Sequence, residues 1–401
     1  MLKIQFFDCR PVVISLSRPI ENRRENEREL YYTEMVNMDS EGASMMDRLK
    51  RPDRLTPKEN YLRMYRGEEI EYIPTHTFFS KPVHDEVPIG PFGLCTMLYR
   101  DDFHPGADGF HDDWGVEYTS VPSANGSFIP SGTHTNDYLI KDIYKWREQI
   151  DKPRLYDEID WKAKAQKDLA NFDRDRTALV CGSPLMPFQQ LMAMMGFNEG
   201  LIAMYEEPEL CKEILDYMVS YLEPHNEANI EFYKPDLYYL LDDTATQRAP
   251  FISHEMFSDV ILPFYYRLCK PAIERGIPII LHNCGKCEDF LPDMIDLGVR
   301  YWDPAQTVND LHKIQRTYGK ENNFNIIGGF TWEEPETWPE VTEEYVRAQM
   351  RKNIDEFAPD GHFLACAAII GPGGDPLTAQ VNDWLADESY YYRREWMQKN
   401  G

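Results

Sequence analysis

Short continuous apolar runs recur along this chain and alternate with helical patterns, and that alternation limits the fold more than any other feature. The runs are Glu71–Phe79, Trp114–Ser120, Thr177–Ser183, Leu237–Thr244, Ile277–Gly285, Arg300–Gln306, Phe324–Phe330 and His362–Ile370. Most are apolar without a break, as expected of parallel strands covered on both faces. Helical patterns lie between the later ones. Pro208 to about Tyr221 sets Cys211, Ile214, Leu215, Met218 and Leu222 along one stripe, and His254–Arg275 carries Phe257, Ile261, Phe264 and Leu268 before Gly276. Thr337-Trp338-Pro339-Glu340 predicts the cap of a helix bearing Val341, Tyr345, Met350 and Ile354, and Asp375-Pro376 opens the last helix. Eight strands alternating with helices predict a (β/α)8 TIM barrel. An open doubly wound sheet is the alternative, but no strand leads into a Gly-x-Gly-x-x-Gly turn or a P-loop.

The barrel is expected over residues 56–401. Thr56-Pro57-Lys58-Glu59 reads as a capping box with Pro at N1, and Gly67 closes that helix. Residues 1–55 are rich in charge and low in pattern, and read as an N-terminal arm, a candidate for contacts in a homodimer. Two long segments, Lys81–Asp113 and Val121–Asn136, are rich in Gly, Pro, Ser, His and Asp, and are expected to overhang the barrel mouth as βα-loop insertions.

With 42 Lys+Arg against 68 Asp+Glu, the formal charge of -26 argues against general nucleic-acid binding and against anionic membranes. No apolar run approaches the roughly 18 residues of a membrane span, and the first residues lack the pattern of a signal peptide. Eight cysteines in 401 residues read as reduced thiols of a cytoplasmic protein rather than a disulfide scaffold.

The richest stretch for chemistry is Leu281-His282-Asn283-Cys284-Gly285-Lys286-Cys287. Side chains at i and i+2 of a strand share a face, so His282 and Cys284 should point together at a strand end, where barrel active sites lie. An imidazole and a thiolate there make half of a zinc site. A buried Cys beside a hydrogen-bonded His is the plainer alternative. Cys366, in His362-Phe363-Leu364-Ala365-Cys366, and Cys287, in the loop after the fifth strand, are both candidate third ligands. Cys181 reads as packing. Asp242 and Asp243 end the fourth strand, where one of them could orient His282, act as general acid or base, or complete the zinc shell. Asp303, at the end of the sixth strand, has similar standing. The Gly328-Gly329 and Gly371-Pro372-Gly373-Gly374 turns allow close backbone approach.

From about Thr56 to the end, the chain resembles the uroporphyrinogen decarboxylase superfamily, and within it the corrinoid-dependent methyltransferase branch. The resemblance rests on Thr56-Pro57-Lys58-Glu59-Asn60 leading to Ile73-Pro74, on Leu241-Asp242-Asp243, on Ser253 to Pro263, and on Leu281-His282-Asn283-Cys284-Gly285. Decarboxylases of the superfamily carry an arginine-rich segment after the first strand to grip substrate carboxylates. Here that place reads Thr75-His76-Thr77-Phe78-Phe79-Ser80-Lys81. The methyltransferase branch has His-x-Cys after the fifth strand and a Cys near the eighth as zinc ligands, which implies His282, Cys284 and Cys366. The family thiol stands about two residues beyond Cys366, an even offset that keeps the strand face. Asp113-Trp114-Gly115-Val116-Glu117 and Lys141-Asp142-Ile143-Tyr144-Lys145-Trp146 are similar to O-demethylase members acting on methoxylated compounds.

The resemblance implies a zinc-dependent methyltransferase that moves a methyl group from a small methylated, in particular methoxylated, substrate to a corrinoid. Asp243 or Asp242 would donate the proton or orient a ligand. The Asp-x-His-x-x-Gly pattern of a cobalamin domain is absent, so the corrinoid is expected on a separate binding protein. A uroporphyrinogen decarboxylase-type enzyme and a non-catalytic corrinoid-docking protein are the alternatives. Tyr118, Phe128, Trp302 and Phe330 could line a substrate pocket or simply fill the core.

Overall fold

The computed structural model describes residues 55–76, 109–120, 128–329, 341–367, 369 and 376–400. The first described element is the Pro57–Arg66 helix. The Thr56 hydroxyl accepts from the Glu59 amide, and Gly67, at φ +67°, closes the helix in the left-handed region that favours glycine.

Among the described residues, ten strands follow in chain order. They are β1 (Thr75–His76), β2 (Gly109–His111), β3 (Glu117–Ser120), β4 (Phe128–Pro130), β5 (Val180–Gly182), β6 (Leu237–Leu241), β7 (Ile279–His282), β8 (Val299–Ala305), β9 (Asn325–Gly328) and β10 (Phe363–Cys366). Seven of them form one sheet in the order β1-β10-β9-β8-β7-β6-β5, and every pairing in it is parallel. The first strand lies beside the last, the order of a curled, barrel-like sheet. Closure needs an eighth strand between β1 and β5, and none stands there among the described residues.

The expected second barrel strand, Trp114–Ser120, is the point of difference. Its strand portion, β3, joins β2 and β4 in a separate antiparallel sheet. The physical reason is local. The Asp112 carboxylate accepts the amides of Trp114 and Val116, turning the chain back on itself with Gly115 at φ +96°. Glu117 is exposed and Tyr118 buried, the alternation of a one-sided strand rather than one covered on both faces. Of the two expected lid segments, the described parts contribute to this small sheet and to the short Gly132–Thr135 helix. Gln190 ties the sheet to the Pro187–Met195 helix by donating to Asp112 at 2.8 Å. The remainder of those segments, the 1–54 part of the arm, Phe330, Thr337–Glu340 and Gly371–Gly374 lie outside the described residues.

The helices between strands are close to expectation, with two changes. The first expected stripe runs on to Tyr233 as one helix, Pro208–Tyr233. The helix that carries Tyr345, Met350 and Ile354 is Glu343–Phe357, capped by the Thr342 hydroxyl on the Tyr345 amide. No described helix is long and apolar enough to cross a membrane. Cys181, Cys211, Cys269, Cys284, Cys287 and Cys366 are in no disulfide.

Two apolar clusters lie on opposite faces of the large sheet. Leu179, Cys181, Tyr238, Leu240, Ile279, Leu281, Trp302, Ile326, Phe363 and Ala365 pack outward with the helices. Val180, Leu237, Tyr239, Ile280, Tyr301, Ile327, Leu364 and Cys366 pack inward with Tyr61, Leu62 and Met64. The Pro57–Arg66 helix therefore plugs the interior. It enters at the amino ends of the strands, where the Lys58 amide donates to Arg176 O and the Lys58 ammonium meets Asp236 at 2.7 Å. The opposite, carboxyl end carries the polar residues.

Candidate metal centre

Strand register brings the site together. In the sheet, Leu241 pairs with His282 and His282 with Asp303. Neighbouring parallel strands stand about 4.8 Å apart, so His282 and Asp303, on the same pleat, lie side by side at the open end. β6 ends at Leu241 and the chain then turns, sending Asp242 and Asp243 to different places.

Asp243 faces His282. Its Oδ1 lies 3.7 Å from His282 Nε2 and accepts the Cys284 amide at 2.8 Å, while Oδ2 accepts Gln189 Nε2 at 2.9 Å. Cys284 Sγ lies 3.7 Å from the same Nε2. The three donor atoms of Asp243, His282 and Cys284 all fall within 4.8 Å of one another. A tetrahedral zinc with ordinary bond lengths sets its ligand atoms about 3.3–3.6 Å apart. Both separations from Nε2 match that spacing within a few tenths of an ångström, so the donor set fits a zinc ion. All three side chains are partly exposed, as an entry path requires.

Behind this front, Asp303 is fully buried. It meets His282 Nδ1 at 3.1 Å, His76 Nε2 at 3.1 Å and the Tyr239 hydroxyl at 2.6 Å. Burial works against its charge, but the hydrogen bonds from His282 and His76 hold Asp303 below the usual carboxylate range. Burial, reinforced by Asp243, pushes the Cys284 thiol up to about 11. Burial alone would lower His282, yet Cys284 and Asp303 hold it well above the usual imidazole range.

Asp242 has another task. It is buried, and its carboxylate accepts the amides of Phe188 and Gln189 at 2.7 and 3.0 Å and the Tyr265 hydroxyl at 2.9 Å. These amides are in the first turn of the Pro187–Met195 helix, which has no cap from its own preceding residue. Burial raises Asp242 to about 7.

Neither Cys366 nor Cys287 belongs to the convergent group. Cys366 faces the interior, in register with His76 three strands from β7, and is packed in the apolar inner cluster. Cys287 points its Sγ at the Asn283 carbonyl, 3.6 Å away, and is likewise buried. Cys181 is core packing, as expected, with its thiol on Asn229 at 3.7 Å. Trp302 packs outward and donates to Asn283 O, while Tyr118 and Phe128 both pack on Phe110 in the small sheet.

The turn after His282 is held by backbone constraints. Asn283 and Thr244 exchange two hydrogen bonds, at 3.1 and 2.7 Å, joining the ends of β6 and β7. Gly285 has φ +81°, and a Cβ there would stand 2.6 Å from Thr246 O and 2.8 Å from Ala245 O. Gly285→Ala is expected to destabilise the protein by about 2 kcal/mol and to weaken retention of a divalent ion, because the displaced turn carries Cys284. Chemical denaturation and metal content check this pair of effects.

Sequence reasoning missed His76, Tyr239, Gln189 and Tyr61. Tyr239 had a signal: it stands two residues before Leu241 on the inward face, where a polar tip needs a partner. His76 stood in view where decarboxylases carry arginine, but nothing local marked it as facing Asp303.

A family model described as uroporphyrinogen decarboxylase (URO-D) matches residues 135–381, more than half of the chain. Among solved structures, a methyltransferase from Methanosarcina mazei is similar, with a TM-score of 0.52 at 14% identity over 84% of this chain and 100% of that one. An uronate isomerase from Bacillus halodurans matches at 11% identity over 64% of each chain, but its TM-score of 0.24 is too low to carry any argument. No curated protein matches the chain by sequence.

Proposed function

Because the chain belongs to the uroporphyrinogen decarboxylase (URO-D) family, we propose that it is a metal-using methyltransferase built on that scaffold. It moves a methyl group from a small methoxylated substrate to a corrinoid carried by a separate protein. The observation that supports this reading is the convergence of Asp243, His282 and Cys284 at the strand ends, with donor spacings that suit zinc. The solved methyltransferase of similar fold is consistent with it.

Zinc bound there would polarise the heteroatom that bears the methyl group and make it a better leaving group. Cys284 and Asp243 would bring two negative charges and His282 none, so a divalent ion would be neutralised without being overwhelmed by anionic ligands. The mixture of one carboxylate with one thiolate is harder than an all-thiolate set and suits an oxygen leaving group. Asp243 takes the place that the resemblance gives to Cys366. Cys366→Ser is therefore expected to retain the metal, whereas His282→Ala loses it.

The metal-free centre holds a proton that loading must displace. With the Cys284 thiol pushed up to about 11, it is protonated at neutral pH, and only the thiolate binds zinc. Zinc uptake is expected to release at least one proton per ion, and the apparent affinity to rise with pH by about tenfold per unit for each proton released. A dye-indicator titration in weak buffer reads both.

A polycarboxylate substrate, as the decarboxylase reading requires, would meet Asp243 at the same strand ends, with no arginine in the Thr75–Lys81 segment to hold it. The deciding experiment combines metal analysis with a donor screen. Bound zinc and methylation of a reduced corrinoid protein by a methoxylated arene support the proposal; a zinc-free protein that forms coproporphyrinogen overturns it.

A further inference from the structure

The geometry points to His76 and Asp303 as positioning residues that decide which nitrogen of His282 faces the metal centre, acting with Tyr61 and Tyr239 as one hydrogen-bonded unit. This inference rests on the metal reading above but concerns residues that lie behind the ligands.

The direction of each hydrogen bond follows from the chemistry of the partners. An ionised carboxylate can only accept. His282 Nδ1, 3.1 Å from Asp303 Oδ1, must therefore keep its proton, so the nitrogen left to give up its proton to a metal ion is Nε2, which faces Cys284 and Asp243. His76 Nε2, 3.1 Å from Asp303 Oδ2, must carry one as well. Its Nδ1 is then an acceptor, and the Tyr61 hydroxyl donates to it at 3.2 Å. The Tyr239 hydroxyl gives its single proton to Asp303, 2.6 Å from both carboxylate oxygens. Reversing any one bond sets two protons or two lone pairs against each other. The arrangement also links the two ends of the interior, since Tyr61 belongs to the plug helix and its carbonyl accepts from the Tyr301 hydroxyl at 2.8 Å. Asp303 and His76 are buried, at 0% and 1% exposed, so water has no route to substitute for a lost partner.

Asp303→Asn is the sharpest probe. An amide has one oxygen and one NH2, so it can accept from one imidazole and must donate toward the other. At least one ring then changes tautomer, and when that ring is His282 its Nε2 carries a proton where the ion belongs. The probe is Co2+ titrated into the full-length, metal-free protein, with a competing chelator and the visible spectrum as readouts. Histidine 15N spectra of the metal-free protein over a rising pH series, with the His282→Ala variant for assignment, report which nitrogen keeps its proton without any metal.

In Asp303→Asn the affinity for Co2+ is expected to fall by about 10–100-fold, the tetrahedral band to change shape, and the His282 or His76 signal to move to the other tautomer. His76→Ala is expected to lose about tenfold, and His76→Gln, which restores a donor to Asp303, to recover part of it. Tyr239→Phe provides a milder variant should the others fail to fold, with a several-fold loss expected. If Asp303→Asn and Tyr239→Phe bind Co2+ with wild-type affinity and spectrum, and both tautomers are unchanged, the positioning role is wrong while the metal reading stands. If the wild-type protein and His282→Ala take up Co2+ alike, the metal reading itself fails and this inference falls with it.

Discussion

Cys284→Ser and His282→Ala are expected to leave a folded protein with little bound zinc and methyl transfer reduced by about a thousandfold. The size follows from the small number of ligands. Three side-chain donors converge, and removing one leaves two, too few to hold a divalent ion against water at micromolar concentrations. Neither change should unfold the chain. Both side chains lie at the open end, and His282 is 17% exposed. Serine occupies nearly the space of cysteine, and the Cys284 amide keeps its bond to Asp243. His282→Ala costs more, because Asp303 loses one of its donors inside the curled sheet, a penalty of about 1–3 kcal/mol. Cys284→Ser is therefore the cleaner variant. Zinc per chain, the rate of corrinoid methylation and a denaturation curve separate loss of metal from loss of fold. Methyl transfer at wild-type rate by zinc-free Cys284→Ser would overturn the site.

How much of this was readable in the sequence depends on whether the determining contact is local. The inward-facing pair His282 and Cys284 could be read from strand periodicity, since i and i+2 share a face whatever the neighbours are. The seven strands of the large sheet were legible for a similar reason: double-sided burial leaves a continuous apolar run. β3 was misplaced because Trp114–Ser120 looks apolar when counted, although Glu117 breaks the run at the point where one face meets water. Asp303 was visible only as one more strand-end acid. Its importance comes from register, which pairs it with His282, and register between distant strands leaves no trace in either segment alone. His76 is the extreme case, because β1 reaches its neighbours only by lying beside the last strand. The choice among Cys366, Cys287 and an acid as third donor was of the same kind. Spacing allowed all three, and the turn after β6 brings Asp243 to the cluster.

Asp242 and Asp243 are adjacent, and their substitutions should give opposite phenotypes. Asp242→Ala removes the acceptor for two helix amides and the Tyr265 hydroxyl, the Phe188 amide and Tyr265 in the interior and the Gln189 amide partly buried. Leaving them unpaired is expected to destabilise the protein by about 3–5 kcal/mol, while the folded fraction still binds zinc. Asp243→Asn keeps an oxygen for the Cys284 amide and so leaves stability close to wild type, but it is expected to weaken zinc by about a hundredfold, since an amide oxygen is a neutral and poorer ligand. The pH dependence gives an independent sign. Burial raises Asp242 to about 7 in the folded protein, against about 3.9 in an unfolded chain, so the folded state binds the extra proton between those values. The stability that Asp242 contributes is then fully present below about pH 4 and is lost as pH rises through about 7. The gap in unfolding free energy between wild type and Asp242→Ala should therefore narrow as pH rises across that window. Urea unfolding at a series of pH values, with zinc content measured on the same samples, tests the division. An Asp242→Ala protein that is as stable as wild type but empty of metal would mean that the two acids had been assigned the wrong way round.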